Sequence, residues 1–87
     1  MARKVKVTVS AIEGKCGMGF QKGQSWIFDR TIPGGMCTSG FNAVFPMVVA
    51  FRSGGQPVGA QGEVGFRMCP DVDGRVIYEV RRLGEGE

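Results

Sequence analysis

The chain has 87 residues, 43% of them hydrophobic, a formal charge of +3 and no histidine. That length holds one domain, residues 1–87, with one core, and the composition excludes a disordered polymer. The missing histidine excludes imidazole-based catalysis and imidazole metal ligation, and the charge is too mild for a nucleic-acid binder, which concentrates Lys and Arg on one face.

Val5, Val7 and Val9 alternate with Lys4, Lys6, Thr8 and Ser10, the period of a half-buried strand. Lys4 and Lys6, with Arg81 and Arg82 near the other terminus, read as the solvated face of a sheet. Residues 13–24 read as a loop because Gly14, Gly17, Gly19 and Gly23 interrupt any pattern, and Ser25 to Arg30 reads as a short strand carrying Trp26, Ile27 and Phe28. Trp26 is expected in the core. Phe20, in the glycine loop, is expected to stay exposed and is the better candidate for contacting a partner. Thr31 to Gly35 is a turn.

One helix follows. Thr38 or Ser39 is its expected cap, and Phe41, Val44, Phe45, Val48, Val49 and Phe51 give it a broad apolar face. Pro46 inside a helix deletes a backbone bond at a cost of about 3 kcal/mol or more. The expectation is therefore a turn at 39–44 and a helix from near Phe45 to about Arg52, or one continuous kinked helix. Gly54 and Gly55 end it. Val64, Phe66 and Met68 alternate as a third strand, Pro70 to Gly74 has hairpin-turn chemistry, and Val76, Tyr78 and Val80 mark a fourth strand. The β-β-α-β-β order predicts an α+β domain: four mainly antiparallel strands with one helix on the apolar face. Val5, Val7, Val9, Phe66, Met68, Val76, Tyr78 and Val80 are expected to face Val44, Phe45, Val48, Val49 and Phe51.

The longest apolar stretch, Ala43 to Phe51, is far short of the roughly 20 residues that span a bilayer, and no apolar leader segment is present. This predicts a cytoplasmic protein, where cysteines are thiols or metal ligands more often than disulfides. Small size and sheet edges make a homodimer plausible.

No phosphate-binding loop occurs, and the glycines at 17, 19 and 23 miss the dinucleotide spacing. Asp71 and Asp73 read first as turn formers. The chemistry then rests on Cys16, Cys37 and Cys69. Each falls at the border of an element, where ligands and nucleophiles collect. Cys37 falls just before the helix, where free N–H groups and the dipole favour a thiolate. If the third strand runs antiparallel to the helix, Cys69 returns to Cys37. Cys16 joins them only if its loop folds back.

Six motifs taken together resemble a known pattern: Gly14-Lys15-Cys16-Gly17-Met18-Gly19, Pro33-Gly34-Gly35-Met36-Cys37, Phe45-Pro46, Arg52-Ser53-Gly54-Gly55, Cys69-Pro70-Asp71 and Val76 to Arg82. The chain resembles, over nearly its whole length, a family of small uncharacterised bacterial and archaeal three-cysteine proteins, which brings no established activity with it. In that family's pattern G-x-C-x-x-G is followed by H-x-x-G-D. Here Phe20 stands in the histidine position and Gln24 in the aspartate position. A Cys₃His set is a familiar structural zinc combination. The resemblance implies that the cysteines act together, while the lost histidine weakens zinc in this member.

Three functions follow. The first is a small accessory protein holding a soft metal, zinc or an iron–sulfur cluster, on Cys16, Cys37 and Cys69 with Asp71 as a further ligand. The second is an interaction module with inert cysteines. The third is a thiol redox enzyme with Cys37 as nucleophile, Cys69 as resolving partner, and Arg52 or Arg67 stabilising negative charge.

Overall fold

The computed structural model describes residues 3–15, 17–70 and 74–84. Its elements are β1 (Val5–Gly14), β2 (Ser25–Phe28), α1 (Thr38–Arg52), β3 (Val64–Met68) and β4 (Gly74–Arg82). They form an α+β domain: a four-stranded sheet of order β2-β1-β4-β3, antiparallel at every pairing, with the helix on one face.

β1 is longer than the valine alternation suggests. Val9 pairs with Tyr78 and Ala11 with Ile77, so Ser10 is an extra residue in a bulge. A bulge reverses the phase of a strand. Val5, Val7 and Val9 face the helix before it, and Ile12 packs against the core after it. The apolar spacing there is three, not two, which hides the second half of the strand from a period-two search.

The helix begins at Thr38 and runs without a break through Pro46, so the continuous alternative holds. Pro46 lies on the exposed side, as does Asn42 four residues earlier, whose carbonyl loses its helical partner. Water can take up that carbonyl, which lowers the cost of the proline. The buried stripe is Gly40, Val44, Met47, Val48 and Phe51. Phe45 packs at its margin. Val49, expected inside, is exposed, because Met47 occupies the stripe one hundred degrees or so per residue away.

β3 also corrects an expectation. Phe66 and Met68 are 51% and 48% exposed, on the face of the sheet away from the helix. The strand turns Gly65 inward instead. A side chain at Gly65 would run into the Met47 Sδ and Cε atoms, so glycine here lets the helix lie close to the sheet and Met47 fills the space. The alternation Val64, Phe66, Met68 was real, but its phase is set by this close approach. Trp26 is buried as expected. Phe20 is buried too, against expectation: it is 7% exposed and stands edge-on to Trp26 with ring centroids 4.9 Å apart. The loop turns back through Gly23 N–H to Val9 O and Val9 N–H to Gln24 O, at 2.9 and 2.8 Å, and this return seats the ring.

At the end of the molecule where α1 finishes, Arg82 joins four segments. Its Nε and Nη2 donate to the Glu63 carboxylate at 2.6 and 3.1 Å, and its Nη1 donates to the carbonyls of Phe51 and Gly55 at 3.4 and 3.1 Å. Arg3 reaches the same carboxylate at 3.4 Å. The hydrogen bond from Arg82 holds the Glu63 carboxyl below its ordinary value; the charges of Arg82 and Arg3 act in the same direction, and partial desolvation opposes them. The same bond raises Arg82.

Two outcomes are expected. Glu63 stays ionised in the fold at pH values where the unfolded chain is protonated, so its contribution is complete above its ordinary value of 4.5 and fades as pH falls through the lowered folded value. Glu63→Gln should therefore lower the melting temperature at pH 7, and the gap to the native protein should narrow as pH falls below 4.5. Thermal melts across that range check it, and a gap independent of pH would refute the ionic account. Second, Gly40→Ala should destabilise by about 1–2 kcal/mol despite alanine's better helix propensity, because the added methyl meets the buried, rigid Tyr78 hydroxyl. Gly65→Ala should cost less, since a flexible methionine can move aside. Chemical denaturation ranks the two.

Candidate functional site

Because β1 and β3 both pair antiparallel with β4, they run parallel to each other, and their C-terminal ends share one end of the sheet. Gly14 pairs with Gly74 there. Cys69 follows β3 at the same end, its N–H bonded to Val76 O at 2.9 Å. The helix lies with its C-terminus at the opposite end, where Arg3 N–H meets Arg52 O. Its N-terminus therefore faces the cysteine end.

A pocket of about 220 Å³ opens at this junction. Cys37 and Ser39 line it from the start of α1, Cys69 from the end of β3, Val76 and Tyr78 from β4, and Gly17 and Met18 from the loop after β1. Thus Cys37 and Cys69, far apart in sequence, border one cavity, as the topology argument expects. Both are free thiols; Cys69 is 5% exposed and Cys37 partly exposed. Cys16 and Asp71 lie outside the described residues. Gly17, the next residue after Cys16, is on the pocket wall, so the loop does fold back to the cysteine end.

Cys37, not Thr38 or Ser39, is the helix cap. Its backbone is extended, φ −73° and ψ 160°, and its Sγ accepts from Gly40 N–H at 3.4 Å. The first turn of α1 contains no acidic residue, so no carboxylate neutralises the positive end of the helix. Gly40 is a glycine because Cys37 Sγ and the Tyr78 hydroxyl both crowd the place where its Cβ would stand. Three aromatic rings, Phe20, Trp26 and Tyr78, lead in edge contacts from the glycine loop to this point. Position 20 itself is not on the pocket wall.

No charged side chain lines the pocket among the described residues. Arg52 is at the far end of a 15-residue helix, roughly 20 Å from Cys37, and approaches Asp29 instead, at 4.0 Å. Arg67 donates to Val58 O and Phe66 O, both at 2.9 Å, and so fastens the 57–62 loop over β3. Neither arginine lines the pocket that Cys37 borders. Met18 and Tyr78 were missed as site residues; the only signal was Met18's place two residues after Cys16. A larger recess of about 350 Å³, between the 57–62 loop and β3, is lined among the described residues by Gly59, Gln61, Val64 and Phe66, none of which carries sulfur or a carboxylate.

Among the described residues no three His, Cys, Asp or Glu side chains group as a metal site; Cys37 and Cys69 are the two that converge. No described helix is long and apolar enough to cross a membrane. No protein-family model matches the chain, and neither a curated protein nor a solved structure shows significant similarity to it.

The two roles of Cys37 can be separated. Cys37→Ala should lower stability by about 1 kcal/mol through loss of the cap, whereas Cys37→Ser should keep or improve it, serine being a preferred cap. Denaturant midpoints of the two apo variants check this; equal losses would mean that the Sγ to Gly40 bond carries no capping energy.

Proposed function

We propose that the protein is a small binding protein whose cysteines hold a soft metal, zinc or an iron–sulfur cluster. The observation that carries this reading is the single pocket bordered by Cys37, Cys69 and Gly17. Cys16, next in sequence to Gly17, is the third thiol of the proposed set. Asp71, two residues after Cys69, is the further ligand of the set. Thiolates are the ligands that such ions select. The bare positive end of α1 offsets the negative charge of a thiolate complex. A bound ion also helps a small, glycine-rich chain fold, because metal-binding energy is folding energy. The motif spacing that resembles the three-cysteine pattern is in keeping with the same joint role.

A thiol redox enzyme is less favoured, since no cation or base lines the pocket among the described residues. An interaction role keeps one specific support: Phe66 and Met68 stand half exposed on the outer sheet face.

The test is elemental analysis of anaerobically purified protein, with thiols counted before and after a chelator. The expected result is stoichiometric metal and thiols that titrate only after chelation. Cys37→Ser and Cys69→Ser should each abolish binding, while Met68→Leu, on the opposite face of the sheet, should not. Metal-free protein with all three thiols freely reactive, under conditions where zinc or iron is supplied, would overturn the proposal.

A further inference from the structure

The pocket wall has a donor set with a narrower meaning than "soft metal". Three of the residues that line it carry sulfur: Met18, Cys37 and Cys69. The other heteroatoms are the hydroxyls of Ser39 and Tyr78. The chain has no imidazole anywhere, and no carboxylate lines the pocket among the described residues. A thioether is neutral and weakly basic, a poor ligand for zinc, magnesium or calcium. It is a good ligand for a soft monovalent ion, and sulfur-only sets built from Cys and Met select copper(I).

Charge points the same way. One copper(I) on two thiolates and a thioether carries a net charge of −1. That anionic centre would sit at the start of a helix whose first turn has no acid and whose Gly40 N–H already donates to Cys37 Sγ at 3.4 Å. Val76 and the Tyr78 ring supply an apolar floor, and low local polarity protects copper(I) from water and oxidation.

The geometry points to copper(I) as the ion this pocket takes, with Cys37 and Cys69 as thiolates and Met18 as the thioether ligand; the inference rests on the soft-metal reading of this pocket, but names copper(I) in place of zinc or iron and Met18 in place of Cys16 as the third sulfur. Binding is an exchange without redox: copper(I) enters, two S–Cu bonds replace two S–H bonds, and two protons pass to the buffer. Affinity should accordingly fall as pH is lowered.

The experiment is an anaerobic titration of reduced apo-protein with copper(I) against a colorimetric copper(I) chelator, run beside a zinc titration against a zinc chelator. Met18 is 56% exposed, so Met18→Leu should fold, and a melt of the apo variant verifies it. The native protein should take one copper(I) per chain. Met18→Leu should weaken copper(I) by about tenfold or more, since losing a ligand costs no less than losing a neighbour of one, and leave zinc affinity unchanged. Unchanged copper(I) affinity in Met18→Leu, or an equal loss for both metals, overturns the inference. If zinc binds and masks the thiols while copper(I) does not, the ion assigned here is wrong and the soft-metal reading stands. If neither ion binds, both fall.

Discussion

The pairing of β1 with β4 decides where everything else in this protein can go. It joins the two ends of the sequence as the central pair of the sheet, from Val5 with Arg82 to Gly14 with Gly74. Such a pairing closes nearly the whole chain into one loop, at an entropic cost that grows only slowly with length. Once it forms, β2 and β3 have only the two outer edges to occupy. Both hairpins then hang from a single register, and a slip of one residue would turn Val5 and Val7 to the face opposite Val76, Tyr78 and Val80. The bulge at Ser10 is what lets this register hold along a strand whose apolar residues change phase.

The two ends of the sheet are finished by different chemistry. At one end the helix C-terminus, the 53–63 loop and β3 are gathered by Arg82. It forms a bidentate bond to Glu63, hydrogen bonds to two backbone carbonyls, and stands over the Phe51 ring at 5.3 Å. Lysine could supply the charge but not the planar fork that meets a carboxylate and carbonyls at once. At the other end nothing of this kind is present among the described residues. There the helix N-terminus, the end of β3 and the glycine loop meet around sulfur, hydroxyl and aromatic groups. The fold is therefore braced by charge where α1 ends, and left with an uncharged cavity where it begins.

The sequence made the elements legible where one periodicity held along them. β2 and β4 were of that kind, and so was the first half of β1. It misled where a small residue was doing the positioning. The phase of β3 depends on Gly65 and Met47 touching across the helix–sheet interface, a contact that no local pattern records. Pro46 argued for a break that solvent exposure of Asn42 makes unnecessary. Phe20 looked stranded among glycines, but those glycines allow the loop to turn back and lay the ring on Trp26. In the site, the meeting of Cys37 and Cys69 followed from strand direction alone. Met18 and Tyr78 did not, because their place depends on a loop path and on the removal of a side chain at Gly40.

The helix cap carries an argument of its own. Serine and threonine accept from the N–H groups of a first turn better than sulfur does, and this chain has both, at Thr38 and Ser39. A helix starting one or two residues later would use them. Instead it starts one residue earlier, on a cysteine whose bond to Gly40 is 3.4 Å long. That start also requires residue 40 to be glycine, a poor helix former, because Cys37 Sγ and Tyr78 crowd its Cβ position. Two local preferences are thus set aside where Cys37 joins Cys69 and Tyr78 in lining one pocket. Local preferences also yield at Pro46 and Gly65, but there solvent exposure and a close helix–sheet contact account for it, whereas at Cys37 and Gly40 the departure coincides with the pocket wall.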